Sequence, residues 1–497
     1  MLKNEWENIQ NGQEIRQSLS KIRQAIKESS NLQLLRSIVK GSEETLIELL
    51  QSEDAKTRKN AALLMGDLGQ QEFLRPIWKA YKNESQRFVK SSYLSAVGRF
   101  DYDDYRDDIK EQLEILKTVE LTRENEKHIT EEMRQLSALI VRIEGISKHS
   151  FTGWNSPYDI VLLANRNFTE TVGKELLALE PNAKIKLVGA GVTAKVENLN
   201  WIRDIRIYQE LLFMIKGMGT CPMDWTAVAE TIVSSGLAAF LAGSHDGAAP
   251  YYFRLEMKSK RALGEKSVFL KKLAARIEKL SNRKLINSTD NYELEIRLIE
   301  NKLQNCNIMI KLFTLKDKRF TYRKEVIPTS IKPVNAALTV ALAREFMKED
   351  AQVLDPFCGV GTMLIERHKA VRANTTYGID ISEDAILKAR ENTATASQII
   401  HYINRDFFRF THDYLFDEII TNMPFKIGRI TEEEIFNIYK RFFQKVPQHI
   451  KAGALVVLYS HNKDFVKQMI ARTDFQLLKE YEISKREETY VFILRYK

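Results

Sequence analysis

The sequence predicts a multidomain protein in three parts: all-α over residues 1–150, α+β over 155–325 and α/β over 326–497. Three observations carry this division. Apolar residues recur at three- and four-residue spacing through the first 145 residues, which is the helical period. A turn-rich break at Gly153-Trp154-Asn155-Ser156-Pro157 then introduces strand patterns. From Ile331 onward, short apolar strands alternate with amphipathic helices, as they do in a doubly wound sheet.

In the first part the helical period is clearest in "TLIELL" (45–50), "NAALLMGDLG" (60–69), "FLRPIWKAY" (73–81) and "FVKSSYLSAVGRF" (88–100). A shift of 32 residues pairs Arg58 with Lys90, Ala62 with Leu94, Met65 with Val97 and Gly66 with Gly98. This weak repeat resembles HEAT-like helical hairpins, although those usually run to ~40–47 residues. One hairpin cannot bury its apolar face alone, so such units stack. A protein or RNA partner is expected for them; a plain helical bundle with no partner fits the pattern equally well.

Composition narrows the function classes. With 44% apolar and 28% charged residues, the 497-residue chain is globular in type. The densest apolar stretch, Val233 to Ala242, is far short of the ~18 residues of a membrane span. Residues 1–10 carry Glu5 and Glu7 and lack the apolar core of a secretory signal. Cys221, Cys306 and Cys358 are too few and too scattered for a disulfide framework or a four-cysteine zinc site, so no metal is expected. A cytoplasmic protein is the expectation.

The net charge of +9 is unevenly spread. Residues 1–150 hold 24 basic and 25 acidic side chains, residues 151–330 hold 27 and 19, and residues 251–330 alone hold 19 and 9. A single charge run is ordinarily a solvated helix face. A surplus confined to one region suits a phosphate backbone, which rewards clustered cations by counterion release. Candidate nucleic-acid contacts are therefore Lys258, Lys260, Arg261, Lys271, Lys272 and Arg276.

The middle part reads as strands at 158–165, 184–196, 251–257, 292–300 and 306–313. Helices are expected at 168–180 and, within the basic run, from Ser267 to Leu280. The last part opens with a helix in "SIKPVNAALTVALAREF" and continues as strand "AQVLDPF", a glycine loop and a helix. Then follow "TTYGID", helix "EDAILKARENT", "HYINRDFF", "DEIITNMPF", a helix from Glu432 and strand "ALVVLYS".

The segment Asp355-Pro356-Phe357-Cys358-Gly359-Val360-Gly361-Thr362 joins a strand to a helix through glycines. It lacks the Gly-Lys-Ser/Thr ending of a P-loop and the spacing of a dinucleotide fingerprint. It suits a small cationic ligand, because Gly359 and Gly361 allow close backbone approach and Asp355 offers a carboxylate to an ammonium or sulfonium. Asp380, at the end of the next strand, stands where such folds hold ribose hydroxyls, with Ile381 beside it. Asp406, followed by Phe407 and Phe408, suits an adenine amine and ring face. Each acid taken alone is an ordinary cap or surface charge; three at successive strand ends describe an S-adenosylmethionine pocket.

Thr421-Asn422-Met423-Pro424-Phe425 then suggests the reaction. The Asn422 side chain and the Asn422 or Met423 carbonyl can accept both hydrogens of a planar exocyclic amine, and Phe425 can stack on the base. Such catalysis would be mostly positioning. Alone, this tetrapeptide is an ordinary strand end with a proline turn.

"DPFCGVGT" with "NMPF" resembles the amino-group methyltransferases that carry Asn/Asp-Pro-Pro-Tyr/Phe. "RFTYRKEVIPTSIKPVNAALTVALA" (319–343) is similar to the lead-in of THUMP-containing RNA guanosine-N2 methyltransferases, and "YDIVLLANRNFTETVGKELLALE" to their N-terminal ferredoxin-like segment. The 253–313 stretch resembles a diverged THUMP module. The resemblance covers about 157–497 and implies a Rossmann-like class I methyltransferase domain behind a ferredoxin-like/THUMP RNA-binding region. Asn422, Met423, Pro424 and Phe425 would be catalytic. Asp355, Phe357, Gly359, Gly361, Thr362, Asp380, Ile381, Asp406, Phe407 and Asn422 would hold the cofactor. Arg323 and Arg429 would add RNA contacts. Met423 replaces the family's first proline, and Lys426 stands where relatives often have glycine. The implied activity is N2-methylation of guanosine in structured RNA, tRNA favoured. Ribosomal RNA, adenine-N6 methylation or a catalytically weak RNA-binding or assembly factor are the alternatives. Cys358 sits in the cofactor loop without a partner base and reads as a packing residue.

Overall fold

Helical periodicity in the first 144 residues becomes nine α-helices among the described residues: α1 Leu2–Gln10, α2 Ile15–Ala25, α3 Ser29–Val39, α4 Glu44–Leu49, α5 Ala55–Leu68, α6 Leu74–Asn83, α7 Arg87–Val97, α8 Arg106–Thr118 and α9 Glu126–Glu144. The computed structural model describes residues 2–27, 29–120, 122, 124–144, 149–428 and 430–497. The chain divides into two units, Met1–Ser147 and Lys148–Lys497.

In the first unit, α5 starts at Asp54, whose carboxylate accepts the Lys56 and Thr57 N–H groups, and ends at Gly69 with φ +68°. Helices α2, α5, α7 and α9 pack in a row, with α6 against α7 and α8 against α9. The 32-residue shift has a physical counterpart. A Cβ on Gly66 would come within 3.0 Å of Ala96 on α7, and one on its repeat mate Gly98 within 3.0 Å of Leu139 on α9. Arg36 Nε donates to the Leu68 carbonyl at 2.9 Å and Arg99 pairs with Asp67, both across the same interval.

The second unit begins with β1 Tyr158–Leu163, α10 Thr169–Leu179, β2 Lys184–Val188, β3 Gly191–Val196, β4 Glu210–Phe213 and β5 Thr220–Pro222. There follow α11 Trp225–Ser234, α12 Leu237–Ser244, β6 Tyr251–Lys258, α13 Leu263–Leu280, β7 Leu285–Asn287, β8 Leu294–Glu300 and β9 Asn305–Leu312. The nine strands form one sheet in the order β2-β3-β1-β4-β9-β8-β6-β7, with β5 paired to β9. Strands β4, β5 and β7 are three or four residues long, too short to show a period. The expected basic helix is α13, which starts four residues earlier than its periodicity indicated and packs against α11. No single described helix is long and apolar enough to cross a membrane; α11 and α12, together apolar enough, bend by 46° at their junction.

The rest of the unit is α14 Pro333–Ala343, β10 Ala351–Asp355, α15 Thr362–Ala370, β11 Ala373–Asp380, α16 Glu383–Thr395, β12 His401–Asn404 and β13 Phe416–Asn422. It ends with α17 Glu432–Lys445, β14 Ile450–Ser460, α18 Lys463–Ile470, β15 Phe475–Ser484 and β16 Thr489–Tyr496. The seven-stranded sheet runs β12-β11-β10-β13-β14-β16-β15, parallel except for β16, which is antiparallel to both neighbours. Successive strands step outward in opposite directions from β10 and β13. That reversal opens a crevice at the carboxyl ends of these two strands, where open α/β sheets bind ligands.

The two sheets of this unit share one continuous core. They are further tied by Arg206, which meets Glu366 of α15 through two hydrogen bonds of 2.7 Å, while the Tyr322 hydroxyl donates to the same carboxylate at 2.7 Å. Glu366 is 1% exposed, so the acid end of this ion pair is shielded from water.

Candidate active site

A cavity of about 410 Å³ occupies the crevice. Asp355, at the end of β10, is 1% exposed and accepts the Phe357 N–H at 3.1 Å. Burial pushes its carboxyl up to about 7, and the charge of Asp380 pushes the same way. Gly359 and Gly361 have φ of +51° and +79°, conformations that an L side chain resists. A Cβ on Gly361 would also collide with the Tyr402 hydroxyl. Cys358 is buried in the loop, and burial, with the Asp355 and Asp380 charges, raises its thiol well above the ordinary range. The thiol stays protonated, which suits packing and not attack.

Asp380 ends β11 as expected. Its two oxygens accept the Gly359 and Ser382 N–H groups, each at 2.9 Å, so it holds the glycine loop in place. Each oxygen keeps a lone pair for a ligand hydroxyl. Ile381 is 75% exposed and lines the cavity. Asp406 differs from the expectation that it ends a strand. Strand β12 stops at Asn404, whose Nδ2 turns to donate to the Asp380 and Ile381 carbonyls, and Asp406 instead caps the next turn by accepting the Phe408 N–H at 2.9 Å. Phe407 is buried among Phe357, Phe442 and His449, while Phe408 is half-buried at the rim with the Arg441 guanidinium 3.8 Å over its ring.

Strand β13 delivers the Asn422 motif. Met423 N–H donates to the Tyr459 carbonyl at 2.9 Å and its side chain is fully buried. Asn422 and Thr362 line the cavity, and Asn422 Oδ1 and Thr362 Oγ1 are buried without a hydrogen-bond partner among the described residues. Pro424 and Phe425 also line the cavity. The Phe425 ring lies 4.3 Å from that of His461, tilted by 30°.

Sequence reasoning missed the strap of residues 323–332, of which Ile327, Thr329, Ser330 and Ile331 wall the cavity, and also Arg405 and Arg441. Buried Asn392 holds the strap: its Oδ1 accepts the Lys324 and Glu325 N–H groups at 2.9 Å, and its Nδ2 donates to the Glu325 and Val360 carbonyls. The strap has no period to detect, and Asn392 looks in sequence like any polar helical residue.

The candidate RNA contacts separate into two groups. Lys260, Lys271 and Lys272 are exposed, with Lys272 5.9 Å over the Trp225 ring. Lys258 pairs with Glu256 at 2.6 Å, Arg261 with Glu300 at 3.2 Å and Arg276 with Glu230 at 3.4 Å. Arg323 is half-buried and donates to the Ile331 carbonyl at 3.1 Å, so it braces the strap. Arg429 lies outside the described residues.

Residues 321–487 match the UPF0020 family, described as an RMKL-like methyltransferase domain. No curated protein matches at the sequence level. Among solved structures, TrmN from Thermus thermophilus is 16% identical, with 68% of this chain and 99% of that one covered at a TM-score of 0.51. A "putative methyltransferase complexed with SAH", SMU.472, is 15% identical (69% and 98% covered, TM-score 0.53). A "predicted N6-adenine-specific DNA methylase" from Listeria monocytogenes is 16% identical (69% and 96% covered, TM-score 0.50). At these identities the likeness is one of fold.

Residues 321–487 therefore resemble a methyltransferase domain, a class whose usual methyl donor is S-adenosylmethionine. The residues fit that group. Asp355 supplies a desolvated acid for a cation, Asp380 keeps acceptor capacity for a diol, and Asn422 Oδ1 and Thr362 Oγ1 are unpartnered polar atoms that a ligand can satisfy.

Proposed function

We propose that the protein methylates an exocyclic amine of RNA, most specifically N2 of a guanosine in tRNA. The observation that carries the reading is Asn422, a residue of the cofactor cavity's wall whose Oδ1 is a buried acceptor with no hydrogen-bond partner. An unpaired buried acceptor costs about 1–3 kcal/mol, which a bound amine hydrogen would recover. Together with the Met423 carbonyl it would hold both amine hydrogens and leave the nitrogen lone pair free. Phe425, backed by His461, would fix the plane of the base. S-adenosylmethionine supplies a methyl group on a positively charged sulfur, and the exposed lysines of α13 support a polyanionic substrate. The order β2-β3-β1-β4 with α10 between β1 and β2 accords with a ferredoxin-like segment, and the stacked row α2-α5-α7-α9 with HEAT-like hairpins.

The test incubates the purified protein with methyl-labelled S-adenosylmethionine and unmodified tRNA, ribosomal RNA or DNA, then identifies the labelled nucleoside. N2-methylguanosine in tRNA is expected, and Asn422→Ala should lower the rate about 100-fold or more while RNA affinity holds within a factor of two. Label in N6-methyladenosine or in DNA would overturn the assignment of base or substrate. No label with intact cofactor binding would leave a binding or assembly factor.

A further inference from the structure

A broad groove in the Met1–Ser147 unit plays no part in the methyl-transfer cavity. It encloses about 950 Å³ against α2, α5 and the start of α7, three helices of the stacked row. Its cations are Arg16, Lys21, Lys56 and Lys59, against one acid, Glu14. Lys21 is taken up by Glu5 at 2.9 Å, whereas among the described residues Arg16, Lys56 and Lys59 form no close ion pair, Arg16 acting on the Asp54 carboxylate at the start of α5 through its charge alone. On α5, Lys56, Lys59 and Asn60 share one face at i, i+3 and i+4; on α2, Arg16, Ser20 and Gln24 do the same at four-residue steps.

This charge is not a by-product of composition, because residues 1–150 carry one more acid than base. Many of the acids lie elsewhere: Asp101, Asp103, Asp104, Asp107 and Asp108 crowd the approach to α8 and its first turn. Cations outside close ion pairs, interleaved with amide and hydroxyl side chains, are the groups that contact phosphate and sugar. The half-buried Phe88 adds an aromatic face to the lining.

We propose that this groove binds the phosphodiester backbone of RNA, giving the chain a second RNA-binding surface in the unit that lacks the transferase site. The inference rests on the reading of the substrate as RNA. It is tested on the full-length protein by comparing wild type with Lys56→Gln/Lys59→Gln, a change that keeps good helix formers. The probe is unmodified bulk tRNA, titrated between 50 and 300 mM salt, with poly-glutamate as a second probe. Removing two phosphate contacts should flatten the log–log salt dependence by about 2 and weaken binding roughly tenfold or more near 150 mM salt. S-adenosylmethionine affinity and thermal unfolding should be unchanged. Unaltered slope and affinity, in a wild type that binds tRNA, overturn the groove alone. Loss of poly-glutamate binding with tRNA binding intact also overturns it, in favour of an acidic protein partner. A wild type with no salt-dependent RNA binding, methylating only DNA or protein, removes the RNA reading and this inference with it.

Discussion

Asp355→Asn separates what the buried acid does for the cofactor from what it does to the fold. In the folded chain its carboxyl climbs from the ordinary 3.8 to about 7, chiefly because it is removed from water. The folded state therefore holds a proton that the unfolded state has released, and stability falls as pH rises between these two values. Above pH 7 the full penalty is present, and the climb corresponds to about 4 kcal/mol as an upper figure. Asparagine mimics the protonated form and never ionises. The variant should match wild type near pH 4, gain on it as pH rises, and level off above pH 7. The gap in unfolding temperature should then be on the order of 5 °C. The cofactor should report the opposite sign. If Asp355 meets a cation, wild-type affinity should fall about tenfold from pH 7.5 to pH 6, whereas the Asn variant should bind weakly at both. Calorimetry at each pH, with parallel thermal melts, measures both. A variant no more stable than wild type at pH 8, or wild-type affinity flat across this range, would refute the reasoning.

Three further outcomes follow from the same geometry. Asp380→Ala removes the acceptor for the Gly359 and Ser382 N–H groups, so S-adenosylmethionine affinity should drop at least tenfold in a direct titration while RNA affinity changes little. Equal cofactor binding by mutant and wild type would exclude Asp380 from the pocket. Charge reversal at Lys271 and Lys272 should weaken RNA binding and flatten its salt dependence; an unchanged slope moves that RNA surface away from α13. Arg206→Met strands Glu366, 1% exposed, with only the Tyr322 hydroxyl, and should destabilise the second unit by about 3–5 kcal/mol in denaturant unfolding. A loss below 1 kcal/mol would mean that the joint between the two sheets does not depend on this pair.

Much of the cofactor site was legible in the chain because its elements are local. A strand, two glycines and a helix start lie within a dozen residues, and the left-handed angles at Gly359 and Gly361 are what such a turn requires. The basic run was legible too, but its meaning changed in three dimensions. Arg261 and Arg276 meet Glu300 and Glu230, which lie 39 and 46 residues away, so counting cations overstated the free charge. The strap 323–332 could not be recognised as a cavity wall, since what holds it is Asn392, more than sixty residues further on.

By itself the sequence determined the class of each region, the strands and helices with a clear period, and the strands that end on Asp355, Asp380 and Asn422. These follow from interactions over a few residues: turn sterics, capping and the alternation of apolar side chains. Only the tertiary structure decided which strands lie side by side. It merged nine strands of the middle region into one sheet and set Cys221 opposite Cys306 across β5 and β9, both as free thiols. It also left Asn422 Oδ1 without a partner and made Asp355 an acid reluctant to ionise. Burial is the reason: a side chain's access to water depends on everything packed around it, and those neighbours come from all along the chain.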